Sequence, residues 1–277
     1  MIESQAIAVP KYDELSAYVR LAQTPEEITE AQKLRYEVFY EEYGAEPNEI
    51  MRQQKRDFDD FDDITDHLIV LTKDAATGDE KIVGTYRLLR QNIAEEFGRF
   101  YSEDEYDLDH LIKSKQFLLE LGRSCVLAEY RTKPILNLLW QGIASYITEY
   151  NIDLLFGCAS FQGVDVDSIA DQLSYLHHFH STPEEVRPIA LKERYVNMNI
   201  LPKEELNERR VFASLPPLIK GYLRLGATIG EGAVIDTQFN TIDVCIVVQT
   251  SLMTDRYRKY YERKINKAMP GQKPQES

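Results

Sequence analysis

The stretch from residue 116 to residue 161 constrains this chain most. QFLLELGRSCVLAEYR, 116–131, has the apolar run of a long strand. It leads through Thr132-Lys133-Pro134 into ILNLLWQGIASYITEYN, whose apolar residues recur at helical spacing. DLLFGCASF then reads as a buried strand. Two strands joined by a helix lie parallel, because the crossover carries the chain back to the end where it started. Part of the sheet must therefore be parallel, and the helix must cover one face.

The flanking patterns fill in the rest. Thr24-Pro25-Glu26-Glu27 is a capping box with Pro at the first helical position. It opens a helix through ITEAQKLRYEVFYEEYG that Gly44 ends. HLIVLTK and KIVGTYRLLR read as a hairpin around DAATGDE. Residues 95–116 are polar and look irregular. Residues 165–225 look like a helical insertion broken by prolines, and AVIDTQF and DVCIVVQT close the sheet. The expected architecture is α/β (α+β), a mixed, mostly antiparallel central sheet with helices on both faces. Residues 1–20 read as a loose arm, 21–250 as the domain and 251–277 as a basic C-terminal helix and tail.

Composition excludes several functions. Net charge is −14, which argues against general nucleic-acid binding. No apolar run is long enough for a transmembrane helix, and the N-terminal stretch lacks a signal-peptide pattern. Cys125, Cys158 and Cys245 lie far apart in apolar runs, so neither disulfides nor structural zinc are expected and a reducing cytoplasm fits. GxSxG, Walker and Rossmann glycine patterns are absent. Of the clustered His177, His178 and His180, His177 and His180 could share a helix face but lack a third ligand at firm spacing, so no metal is expected.

Two places carry candidate chemistry. Asp57, Asp59, Asp60, Asp62, Asp63 and Asp66 crowd the loop RDFDDFDDITD. Such a loop is either a solvated turn or a seat for positive charge. Glu120 and Arg123 sit in the apolar strand LELGRSCV, where charge is costly unless paired or used. Three positions apart, they face opposite sides unless the strand bulges, and Gly122 makes a bulge cheap. Cys158 reads as core. At the following turn, Arg131, Thr132 and Lys133 put positive charge beside a helix N-terminus, where anions bind.

Taken together, LRYEVFYEEYGA, DFDDFDDITDHLIV, VGTYRLLR, LELGRSCV, LWQGIASY, LFGCASFQG and LPPLIKGYLRLGATIGEGAVID resemble the hemolysin-like N-acyltransferases that begin ornithine-lipid synthesis. The likeness covers roughly residues 30–250 and implies a GNAT-type fold. It implies a 3-hydroxyacyl thioester of acyl carrier protein as donor, ornithine as acceptor and no bound cofactor. A more distant likeness, to acyl-homoserine-lactone synthases, suggests roles for Arg35, Phe39, Asp59, Asp62, Arg87, Glu120 and Arg123. The Trp expected shortly after Phe39 is missing, which speaks against a lactone product.

On this resemblance Glu120 is the general base and Arg123, Arg87 or Arg35 clamps the acceptor carboxylate. Asp59 and Asp62 hold its ammonium or order the first helix. Cys125, Val126, Arg131, Thr132 and Lys133 take the donor's phosphopantetheine, and a backbone N–H between Gly122 and Cys125 serves the oxyanion. The turn RTKPIL lacks the glycines usual for coenzyme A, which favours a carrier protein's lighter phosphodiester. The tail's Tyr257, Tyr261, Ile265 and Met269 stripe suggests a helix lying on the inner face of the cell membrane. Another acceptor such as glycine, a lactone product, and a lytic rather than enzymatic role are the competing readings.

Overall fold

A computed structural model describes residues 16–74 and 77–270. Its ten strands are β1 (Ala17–Leu21), β2 (Asp66–Lys73), β3 (Glu80–Arg90), β4 (Tyr106–Asp107), β5 (Leu118–Val126), β6 (Leu154–Gln162), β7 (Ile189–Ala190), β8 (Tyr195–Val196), β9 (Thr228–Asp236) and β10 (Thr241–Gln249). The nine α-helices are α1 (Pro25–Tyr36), α2 (Glu49–Gln54), α3 (Gln91–Phe97), α4 (Asp109–Lys113), α5 (Lys133–Tyr150), α6 (Ala170–His180), α7 (Glu208–Ser214), α8 (Pro217–Leu225) and α9 (Asp255–Ile265). The strands form one sheet in the order β1-β2-β3-β5-β6-β10-β9-β7-β4, with β8 against β9.

The β–α–β unit forms as the sequence predicts. β5 and β6 are parallel, and the long partners around them are antiparallel. The architecture is therefore the expected mixed, largely antiparallel sheet. β2 is buried on both faces, which its unbroken apolar run requires. Ile69 and Leu71 meet Ala31 of α1, while Leu68 lies beneath Gly142 of α5. Alternate residues of a strand face opposite sides, so the two helices cover opposite faces. A Cβ on Gly142 would come within 2.8 Å of Leu68, so the glycine permits the close seat of α5.

The divergence of β5 and β6 opens the site. Their ladder holds only Leu118–Glu120 against Leu154–Phe156, although each strand continues six residues further. Beyond the last pair, Gly157 passes so close to β5 that a Cβ there would sit 2.2 Å from the Leu121 carbonyl oxygen.

Some expectations need correction. Residues 17–20 are not part of a loose arm: they belong to β1, which pairs with β2 and buries Ala17 and Val19, while residues 1–15 lie outside the described residues. The polar stretch after residue 95 contains α3, a 3-10 turn at Tyr101–Asp104, β4 and α4. Of its apolar residues, Phe100, Tyr106, Leu108 and Leu111 are buried while Phe97 and Ile112 are exposed, a pattern too sparse to show periodicity. The insertion at 165–225 carries β7 and β8 as well as helices.

The C-terminal stripe also faces inward. Tyr261 and Met269 are buried, Tyr257 and Ile265 pack against the core, and the buried Arg258 guanidinium donates to the carbonyls of Thr250, Met269 and Pro270. These four residues of α9 and its end therefore serve the core rather than a membrane surface. Among the described residues no helix is long and apolar enough to cross a membrane. Residues 271–277 of the expected tail lie outside the described residues.

Gly157→Ala is expected to lower stability by about 2 kcal/mol or more, since a Cβ meets backbone rather than a side chain that can move. Urea denaturation with a midpoint equal to the parent's would contradict this.

Candidate active site

The divergence between β5 and β6 opens into a cleft of about 1040 Å³. Its walls include Gly122, Arg123 and Cys125 of β5, Cys158 and Ser160 of β6, and Leu136 and Trp140 of α5.

Behind one wall lies a closed network of three arginines and three aspartates. Arg35 on α1 donates from Nε to Asp57 Oδ2 and from Nη2 to Asp62 Oδ1, both at 2.7 Å. Arg123 donates to Asp57 Oδ2 and Asp59 Oδ2, both at 3.1 Å. Arg87 donates to Asp59 Oδ1 at 2.6 Å and lies 3.4 Å from Asp62 Oδ2. Tyr40 donates to the remaining oxygen of Asp57. Burial alone would raise the carboxyls of Asp57 and Asp62, but the arginine charges outweigh it and hold both below the ordinary range.

Local backbone features place these groups. Past Tyr36, the first helix widens into a π-helical turn over Glu37–Glu42, which puts Phe39 on the cleft wall and Tyr40 on Asp57. Asp59 and Asp62 form a capping box around the 3-10 turn Asp60–Asp63. On β5 the register against β3 slips between Arg87↔Gly122 and Thr85↔Cys125, so two residues oppose one. This bulge falls at Arg123 and Ser124, with Arg123 at φ +50°. The slip turns Arg123 toward the acidic loop.

The sequence-derived candidates thus divide. Phe39, Arg87, Glu120, Arg123, Cys125, Val126, Arg131 and Lys133 line the cleft. Arg35, Asp59 and Asp62 stand behind its wall, bonded to Arg87, Arg123 and one another. Thr132 occupies the N-cap position of α5 without a side-chain cap bond and is not in the lining. Arg131 is tied to Glu42 and to the Val126 carbonyl, and Lys133 starts the helix. Lys220 and Arg224 of α8 add positive charge to the cleft lining.

Glu120 is held by a turn that the sequence did not announce. Its carboxylate accepts the N–H groups of Tyr101 and Ser102 at 2.8 and 2.7 Å and the Ser102 hydroxyl. Burial pushes its carboxyl up, and these donors oppose the shift. Glu120 and Arg123 do not pair with each other. Instead Arg123 Nη1 donates to the Tyr101 hydroxyl at 3.1 Å, and the Tyr101 ring lies under both Arg87 and Arg123. Cys158 packs against the core but also lines the cleft, with Sγ 3.2 Å from Glu105 Oε2 and 3.7 Å from Ser102 Oγ. Burial pushes its thiol well up, with Glu105 adding to the shift, so it is a poor nucleophile.

Residues 34–141 match the acetyltransferase (GNAT) domain family. Over 265 residues the chain is 46% identical to an L-ornithine N(alpha)-acyltransferase of Rhizobium meliloti (strain 1021), covering 93% of this chain and 89% of the relative. It is 49% identical over 247 residues to the enzyme of the same name from Agrobacterium fabrum, covering 87% and 84%. The chain belongs to this acyltransferase family. Among solved structures, an N-acyl amino acid synthase, FeeM, from uncultured soil microbes covers 85% of this chain and 91% of its own, at 13% identity and a TM-score of 0.46.

Several cleft residues of the acyltransferase escape a reading of the sequence. Tyr101, Ser102 and Glu105 lie in the stretch that looked irregular, and nothing in their spacing marks them. Asp243 did carry a signal: it is an acid inside the apolar run DVCIVV.

Arg35→Leu should cost about 3–5 kcal/mol, because it removes the closest charge partner of both Asp57 and Asp62 from a fully buried position. Acid should act on the same network. Carboxyls held below their unfolded values contribute fully above pH about 4, and that contribution is lost as pH falls through the folded values. Denaturation midpoints measured between pH 7 and 3 should drop more steeply for the parent than for a folded Asp57→Asn variant.

Proposed function

We propose that the acyltransferase moves a 3-hydroxy fatty acyl group from acyl carrier protein to the α-amine of L-ornithine. The product is an Nα-acyl-ornithine, a lyso-ornithine lipid. The carrying observation is one cleft that joins a basic end at Arg131, Lys133, Lys220 and Arg224 to a buried carboxylate, Glu120. The names of the relatives support ornithine as acceptor.

The chemistry follows from the parts. The α-amine is protonated near neutrality and must lose a proton to attack the thioester carbonyl. Glu120 accepts three hydrogen bonds from the protein and keeps an acceptor position on Oε2, through which it takes that proton by way of a water. The amine nitrogen forms the new C–N bond, backbone N–H groups around Gly122–Cys125 hold the oxyanion, and the pantetheine thiolate leaves and is protonated. Arg87 and Arg123, pinned by aspartates behind the wall, attract the acceptor's carboxylate. The basic end receives the single phosphodiester of the carrier's prosthetic arm. Carrier proteins are acidic, so this local positive patch serves an otherwise acidic protein.

Purified protein with 3-hydroxyacyl carrier protein and a panel of amino acids should yield acyl-ornithine by mass, at a kcat/KM above that with the matching coenzyme A thioester. A preference for glycine or for coenzyme A would overturn the acceptor or the donor, respectively. Glu120→Gln and Arg123→Ala should each lower kcat by about 100-fold or more. Leakage of liposomes without thioester would favour a lytic role instead.

A further inference from the structure

The cleft carries a second polar cluster. Glu105, Asp236 of β9 and Asp243 of β10 each present a carboxylate oxygen within 4.8 Å of the others, and all three line the cleft. Asp243 is only 6% exposed, and its Oδ1 has no hydrogen-bond partner. A buried carboxylate oxygen left bare costs free energy unless something occupies it.

The surroundings leave the negative charge largely uncompensated. Glu105 Oε2 accepts from Cys158 of β6, and Asp236 Oδ1 accepts from the Phe239 N–H. Arg194, after β7, approaches Glu105 Oε1 at 3.4 Å but is partly exposed. The hydroxyls of Ser160 on β6 and Thr241 on β10 line the same end of the cleft. One guanidinium therefore faces three carboxyl groups.

We propose that Glu105, Asp236 and Asp243 seat the side-chain ammonium of a diamino acid acceptor. This deepens the ornithine reading and rests on it. Three acceptors around an N–H₃⁺ at about 2.8 Å lie roughly 4.6 Å apart, which suits this cluster. The placement suits the reaction as well. Glu105 is linked to Glu120 through one thiol and one hydroxyl, Cys158 and Ser102. An α-amine held near Glu120 thus leaves a three-methylene side chain reaching toward the acidic end. A side chain without the terminal charge would leave the carboxylates unpaired, and that mismatch is the source of selectivity.

Protonation supplies an independent handle. Burial, with the Asp243 charge adding to it, raises Glu105 to about 7. Burial raises Asp243 to about 6, with hydrogen bonding from Ser160 and Thr241 opposing the shift and the Asp236 charge adding to it. An ammonium favours the ionised carboxyls, so its binding should weaken as pH falls through this range.

The test compares L-ornithine with L-norvaline, which has the same carbon chain but no terminal amine. Their α-amines titrate alike, so the ratio of kcat/KM isolates the side-chain seat. In the parent protein ornithine should lead by about 100-fold at pH 8, and the lead should shrink by roughly 10-fold toward pH 6. Asp243→Asn and Glu105→Gln should each cut the lead by about 10-fold or more. The parent measurement needs no variant, so it holds even where a substitution fails to fold. A lead that is flat with pH and unchanged in a folded Asp243→Asn protein would overturn the seat while leaving ornithine acylation intact. Failure to acylate ornithine at all, with another amino acid used well, would instead overturn the acceptor reading. Submillimolar Mn²⁺ binding lost in Asp243→Asn, with turnover abolished by EDTA, would make the cluster a metal site and also overturn the proposal.

Discussion

The site depends on the buried Arg–Asp network. Arg35 is fully buried and bonded to Asp57 and Asp62, Arg123 spans Asp57 and Asp59, and Arg87 joins Asp59 to Asp62. Three sequence-distant pieces, the first helix, the acidic loop and the bulged strand, are locked together by charges that have nowhere else to go. A buried guanidinium without a carboxylate is costly, so the pieces have few other arrangements open to them. The wall of the cleft carrying Arg87, Gly122 and Arg123 is placed by that lock.

The rest of the site uses a different device. Glu120 gathers two backbone N–H groups and a hydroxyl from the turn at Tyr101–Asp104, which carries Tyr101, Ser102 and Glu105 to the cleft together. The two devices meet where Arg123 donates to the Tyr101 hydroxyl. The cleft lining then carries a basic set, Arg131, Lys133, Lys220 and Arg224, and an acidic set, Glu105, Asp236 and Asp243.

Much of the fold was legible because it rests on local patterns. The apolar runs of β2, β5, β6 and β10 and the Pro-led helices α1 and α5 announce themselves by periodicity and by capping residues. Gly122 marked a place where a bulge would be cheap, and the register slip falls beside it. The segment from residue 95 to 116 was not legible. Phe100, Tyr106 and Leu111 bury too sparsely to show a period, yet they hold the turn that completes the site. Cys158 was legible only in part: it packs against the core, but its place on the cleft wall depends on where the neighbouring strand departs.

By itself, the sequence determined a parallel β–α–β unit inside a mostly antiparallel sheet, the helix starts, and the presence of charges that had to be paired. Which charges pair was decided only in three dimensions. Periodicity reports on neighbours three or four residues apart, whereas Arg35, Asp57 and Arg123 meet through the packing of elements far apart in the chain. The same holds for Glu105, Asp236 and Asp243, which converge because β9 and β10 pair beside the turn that Glu120 holds in place.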